Sequence, residues 1–373
     1  MKSQPKLILD SEQPRHIRRK YWLLRKRKRV LRHRRRAKRN RNAGISVEPY
    51  TNEQTKNSVK RREGRLEIAL PVEMDLEKNY ETTVSHLAAI RKATKLRRRL
   101  KSLKFNRLKY ISPSAALVLA SEMDRWNQRL GGGLRADVDS WQPDIRRLLA
   151  QMGYFELLGL ERPQNLETKN TTFLPFKRGI AHDPHSNENH GGGELAKQLR
   201  IEIEELTGAS IQRHFLFEGL SEAITNVGQH AYSDGYVGAL RQWWVSASYD
   251  REDSVLCVTF YDQGDGIPVT LPNNEFFDLI RHMFDGWSDS FKIGAAMEIG
   301  NTATRRAERG KGLQNFVEFA KAHRWGRLSI YSLTGLYRMN WKMENGAQEF
   351  TDQREDFENS IGGTLIEWQV KLA

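Results

Sequence analysis

Residues 1–45 hold 18 Lys/Arg against two acids, Asp10 and Glu12, whereas residues 46–373 hold 43 against 44. That segregation removes the first segment from any hydrophobic core, because its cations would have to be buried without partners. The net charge of +15 therefore belongs to an arm, and the rest of the chain is close to neutral. The arm's apolar run, Tyr21 to Leu24, is far too short for a signal-peptide core or a membrane span. Nothing further along approaches about 18 consecutive apolar residues. A cytoplasmic protein that does not enter the membrane is expected. Cys257 is the single cysteine, so no internal disulfide can form and an oxidising compartment is not indicated. Placed just ahead of "VTF", it reads as a small core residue of a strand in preference to a reactive thiol.

A run of like charge fits a solvated tail that repels itself, and it equally fits an arm that binds a polyanion. Arg18, Arg19, Arg25, Arg27, Arg29, Arg34, Arg35 and Arg36, together with Lys20, offer cations of which the Arg forks match phosphate oxygens in two-point contacts. Tyr21 and Trp22 offer rings on which bases stack. Nucleic acid, RNA or DNA, is the partner this composition favours. An anionic membrane surface, an acidic protein and no partner at all also satisfy it.

Residues 46–64 are polar without a hydrophobic period, as in a linker, and a first folded unit is expected over 65–160. "RLEIALP" alternates Leu66, Ile68 and Leu70 as a strand does, and "YETTVSHLAAIRKATKLRRRL" reads as a long helix. "SLKFNRLKYIS" is strand material, followed by the helix "PSAALVLASEMDRWNQRL", with Ser112 as its cap and Pro113 in its first turn. "LRADV" is a further candidate strand and "WQPDIRRLLAQMGYFELLG" a further helix. Strands alternating with helices imply a small α/β layer. The run "LKFNRLKYISPSAALVLASEMDRW" with "DIRRLLAQMGYFELLGL" resembles a STAS-type domain, the fold of bacterial anti-sigma-factor antagonists. The resemblance implies a phosphorylatable residue at this helix start, where Ser112 and Ser114 stand, although helix capping accounts for the same serines. Tyr110 and Ile111 stand where that family has an acidic residue.

Residues 161–197 lose the pattern and read as a second linker. "GIAHDPHSNENHGGG" gathers His182, His185 and His190 with Asp183 and Glu188, all metal-ligand types. No helical or paired spacing fixes them, so a solvated loop is the reading taken.

Over 198–373 the sequence changes character. In "EGLSEAITNVGQHAYSDG", Glu222, Asn226 and His230 recur every fourth residue, which stacks them on one helix face beside the apolar stripe Phe215, Leu216, Leu220, Ile224 and Val227. A solvated face and a site both meet that description. "DSVLCVTFYDQGDGIP" is an alternating strand that ends in Asp262, with Gly264 and Gly266 just beyond. Glycines there admit unusual backbone angles and close approach of a ligand, and the carboxylate can accept from an exocyclic amine. Gly310, Lys311, Gly312 and Leu313 open a helix, where free amides and the helix dipole suit phosphate. "SIGGTLIEWQV" is a closing strand with Gly362, Gly363 and Thr364 at its head.

These four boxes, in this order, resemble the GHKL superfamily of ATP-binding domains, and through "SEAITNVGQHAY" the anti-sigma-factor serine kinases within it. The resemblance implies a Bergerat-fold α/β sandwich, a mixed sheet covered by helices on one face, behind the STAS-like domain. The expected class is thus α+β or α/β. It implies ATP and Mg²⁺ as cofactors, with Asn226 on the metal and Glu222 orienting or deprotonating the attacking water or hydroxyl. His230 would lie near the nucleotide. Asp262 and Thr364 would take the adenine amino group, and Gly264 and Gly266 would let the chain run close to the ligand. Gly310, Lys311, Gly312 and Leu313 would present amides to the phosphates. A lid over about 270–308 is implied, with Arg305, Arg306 and Arg309 as candidate phosphate contacts and Trp287 as packing or a partner surface. No upstream phospho-acceptor helix and no downstream transducer domain are evident.

Three functions follow. One is an ATP-dependent switch or ATPase whose arm recruits nucleic acid. Another is a protein serine kinase acting on a STAS-like partner, or on Ser112 or Ser114 in cis. The third is a nucleotide-gated nucleic-acid adaptor without turnover. A bacterial regulatory or phage-defence setting accommodates all three, as does self-association into a homodimer.

Overall fold

The structure is a computed structural model. It describes residues 59–62, 65–95, 100–130, 137–164, 170–180, 192–208, 213–232, 241–270, 287–302, 312–344 and 346–372. The basic arm, the His182–His190 segment and the Gly310–Lys311 pair lie outside the described residues. The described residues belong to one compact unit.

The first layer comprises β1 (Val59–Arg62), β2 (Arg65–Ala69), β3 (Glu73–Met74), α1 (Tyr80–Lys95), β4 (Leu100–Lys104), β5 (Tyr110–Ile111), α2 (Pro113–Leu130) and α3 (Pro143–Gln151). β2 pairs antiparallel with β1 and parallel with β4, and β3 pairs parallel with β5. The expected single strand over "SLKFNRLKYIS" is thus two short ones. They are separated where Leu108 closes a turn onto the carbonyl of Phe105. β1 falls inside the stretch read as a linker, and Val138 sits in a 3₁₀ turn, not in the strand suggested by "LRADV".

The second layer comprises β6 (Thr171–Ile180), α4 (Gly192–Thr207), α5 (Arg213–Asn226), β7 (Gln242–Asp250), β8 (Val255–Asp262), α6 (Asp289–Thr302), α7 (Gly312–Lys321), β9 (Trp325–Ser332), β10 (Gly335–Glu344), β11 (Ala347–Asp356) and β12 (Thr364–Lys371). Its strands form a seven-stranded sheet, β11-β10-β9-β12-β8-β7-β6. Every pairing is antiparallel, so the expected mixed sheet is corrected. Short connections, such as Leu333–Thr334 between β9 and β10 and Arg251–Ser254 between β7 and β8, force those pairs to be antiparallel, because parallel neighbours need a long crossover. β12 slots between β8 and β9, whose connection runs through α6 and α7. β6 is a further correction, since it lies within the supposed linker 161–197. Its pattern is broken by Pro175, where the register with β7 shifts, and an edge strand is where a sheet tolerates proline.

Alternating side chains send each strand's residues to two different cores. Trp243, Val245, Leu256, Val258, Phe260, Ile330, Ile366 and Trp368 meet α4, α5, α6 and α7. Trp244, Tyr261, Tyr331, Leu336 and Leu365 join the core of α1, α2 and α3. Helices of the second layer therefore cover one face, and the opposite face is covered by the first layer. Asp124 of α2 clamps the two, accepting from the Trp244 indole at 2.9 Å and from Arg178 at 2.9 Å. Tyr80 stacks on Phe357 and Tyr331, and Glu81 accepts from the backbone of Glu358 and Asn359.

A chain starting at Asn170 would keep all seven strands yet expose that second face, each large side chain on it being worth about 1.5–3 kcal/mol of burial. Such a chain is expected to self-associate and to lack a cooperative urea transition, read by size-exclusion chromatography and circular dichroism. A monomer with a sharp transition would show the shared core to be dispensable.

Candidate functional site

α5 presents Glu222 and Asn226 one turn apart, both half-buried, with a hydrogen bond between their side chains. Burial pushes the Glu222 carboxyl up, and the bond to Asn226 partly offsets this. Past Asn226 the helix widens into a π turn over Val227–Ala231. Such insertions are common at functional sites. His230 lies within this turn and is exposed.

The π turn also fixes where α5 meets the sheet. The Asp265 amide donates to the Ala231 carbonyl at 2.7 Å. A Cβ at Gly264 would lie 2.2 Å from that same oxygen, so only glycine lets the turn seat on the end of β8. Gly266 has φ +84°, and a Cβ there would come within 2.8 Å of Leu333. Both glycines of the D-x-G-x-G run are therefore demanded by the protein's own packing.

Asp262, the last residue of β8, pairs in register with Thr364, the first of β12. Its carboxylate accepts from the Gly264 amide at 2.8 Å and from the Thr364 backbone. Burial pushes the carboxyl up to about 7, with the nearby Asp265 adding to the effect and these two bonds opposing it. Gly363 has φ +127°, and a Cβ there would stand 2.0 Å from the Asp262 carbonyl oxygen. The floor is completed by Ser332, whose hydroxyl lies 2.9 Å from that of Thr364 and accepts from the Ile267 amide at 2.9 Å. Sequence reading missed Ser332, which stands at the end of an ordinary strand with no distinctive neighbour.

Asp262, Gly264, Gly266 and Thr364 are thus brought together beside the helix bearing Glu222 and Asn226. Gly312 and Leu313 open α7, as expected, while Gly310 and Lys311 fall outside the described residues. So do Arg305, Arg306 and Arg309. The expected lid over 270–308 contains α6, which is fastened to the sheet: Ser290 donates to Asp356 at 2.6 Å, Thr334 donates to Asp289 at 2.6 Å, and Ile293 and Met297 are buried. Trp287 and Phe291 form an exposed edge-to-face pair at its start. Ser112 and Ser114 are both buried. Ser112 accepts from the Ala115 amide at 3.4 Å as a cap, and Ser114 bonds the carboxyl of Glu367 on β12. Cys257 is buried, with its thiol pushed well up by desolvation, as a core residue should be.

The donor set suits a hard cation carried by a polyanion. Asn226 and Glu222 offer oxygen, the ligand type that hard cations take. No helix among the described residues is long and apolar enough to cross a membrane. The chain matches no protein-family model, and no curated protein is similar to it in sequence.

The Asp262 carboxyl carries a testable stability signature. A carboxyl raised in the folded state binds its proton there more tightly than in the unfolded chain, so stability falls as pH rises from about 4 to about 7. Asp262→Asn keeps an acceptor for the Gly264 amide and removes the charge. It is expected to flatten that pH dependence and to stabilise the protein at pH 8 by roughly 4 kcal/mol at most, read from urea unfolding at several pH values. An unchanged pH profile would mean that Asp262 is ordinary.

Proposed function

We propose that this chain is a GHKL-type Mg-ATP-binding switch that hydrolyses ATP, with a Bergerat-like second layer and a STAS-like first layer. Its arm, residues 1–45, recruits it to nucleic acid. The observation that carries this reading is the seating of the π turn on Gly264, which sets the Glu222 and Asn226 helix against the Asp262 and Thr364 strand pair. A buried carboxyl at the strand end paired with Thr364, whose hydroxyl lies beside that of Ser332, is suited to a purine edge that offers an amine. Bound ATP would supply the phosphoanhydride, with its magnesium ion the positive charge. Asn226 would hold that ion through its amide oxygen. Glu222, raised by burial yet held by Asn226, is suited to accept a proton from water. Ser112 and Ser114 bear on the kinase alternative. Their burial, and the bond of Ser114 to Glu367, argue against either as an acceptor in cis.

Incubation with γ-labelled ATP and Mg²⁺ is expected to release free phosphate. Label on the protein, or on a STAS-like partner, would replace hydrolysis by kinase chemistry, and binding without either product would favour the adaptor. Asn226→Ala should weaken Mg-ATP binding at least about tenfold, and unchanged binding would remove the site assignment. Glu222→Ala should keep binding while lowering turnover about 100-fold; loss of both together would make it structural. Deleting residues 1–45 should flatten the dependence of nucleic-acid affinity on salt, since each phosphate contact adds to that slope. An unaltered slope would move the interface to the folded body.

A further inference from the structure

The strand end that carries Asp262 is gripped from its other side by the first layer. Gln263, the next residue, is buried, and its amide donates to Ser121 at 3.1 Å and to Glu122 at 3.2 Å, both on α2. Arg125, a turn further along α2, donates to the Gln263 amide oxygen. Glu122 also accepts from Arg91 of α1 at 2.6 Å. The same Arg91 guanidinium reaches the Ile361 carbonyl at 2.6 Å and the Tyr261 hydroxyl at 3.2 Å, and Tyr261 donates to the Gly362 carbonyl at 2.9 Å. A Cβ at Gly362 would stand 1.7 Å from that guanidinium. The residues on both sides of Asp262, and those just before Thr364, are thus held by α1 and α2, while Asp262 and Thr364 themselves face the second layer's site.

We infer that Arg91, Glu122 and Arg125 are positioning residues for the Asp262 and Thr364 strand pair, so that the first layer sets how tightly and how selectively the site proposed there binds a nucleotide base. The inference rests on the nucleotide reading above and goes beyond it, because it makes the first layer part of the binding site. The geometry favours transmission. Strand alternation places Tyr261 and Gln263 towards α2 and Asp262 away from it, so a change in the grip on Gln263 must move the Asp262 carboxyl. Hydrogen bonds from a charged donor in a buried setting are strong and directional, and the guanidinium fork of Arg125 tolerates little displacement.

The test uses the full chain and three variants, Arg125→Met, Arg125→Lys and Gln263→Asn, with dissociation constants for Mg-ATP and Mg-GTP and the thermal midpoint of each protein. Arg125→Met removes the donor while keeping bulk, and Gln263→Asn shortens the amide out of reach of α2. Each is expected to weaken Mg-ATP binding about tenfold and to narrow the preference for ATP over GTP. Arg125→Lys should recover part of both. Midpoints are expected to move far less than affinity. Wild-type protein that binds nucleotide, with variants that bind it equally well and equally selectively, would overturn the positioning role and leave the nucleotide reading intact. Loss of affinity only in proportion to the fraction unfolded would overturn it as well. Wild-type protein that binds neither nucleotide would overturn both.

Discussion

The central strands β7, β8, β9 and β12 are buried on both faces, so their polar side chains lose the solvent, and that constraint organises this structure. Ser246, Ser248, Thr259, Ser329 and Glu367 all point to the face beneath the first layer, and all are buried. Each needs a partner, because an unpaired buried polar group is costly. Ser246 donates to the Leu174 carbonyl, Ser329 accepts from Arg338, and Glu367 is held by Ser114 and Arg338. The Trp244 indole finds Asp124. The cover over this face is therefore bound by specific hydrogen bonds as well as by apolar contact, which ties α2 to one register on the strands.

Strand alternation was legible in the sequence, but its meaning was not. In most antiparallel sheets one face meets water, so serines and threonines alternating with Val, Phe and Trp suggest a solvated side. Here Ser246, Ser248 and Thr259 obey that alternation and are buried nonetheless. Nothing local separates a polar residue facing water from one facing a buried partner far away in sequence, such as Ser114 opposite Glu367. The same limit hid β6, whose pattern Pro175 interrupts, and it hid the docking of α6, which depends on Asp356 and Thr334 from the other side of the sheet.

The glycines show a different kind of partial legibility. That residues 264, 266 and 363 need glycine was readable, because D-x-G-x-G and G-G-T stand at the ends of strands. The reason was not. A ligand that approaches the main chain and a neighbouring loop that does so leave the same mark in a sequence. The neighbours are Ala231 at Gly264, Leu333 at Gly266 and the Asp262 carbonyl at Gly363. Glycine here lets neighbouring segments pack against the strand ends, so any chemistry proposed for this place falls to Glu222, Asn226, Asp262, Ser332 and Thr364. Of these, Ser332 carried no signal, because a serine ending a strand is common. His230 follows Asn226 by the same interval but lies in the π turn, where helical periodicity alone does not fix its face.

That π turn is also what makes the site a joint between layers. An α-helix ending at Asn226 would present its last carbonyls elsewhere; the wider turn delivers the Ala231 oxygen to the Asp265 amide and Gly264. Asp262 then sits between a helix end on one side and, through Gln263, α2 on the other. The carboxyl is buried at this strand end, which is the physical reason it is pushed up to about 7 while accepting two backbone hydrogen bonds. Loosening the packing around this strand end would admit water and let the carboxyl return towards its ordinary range.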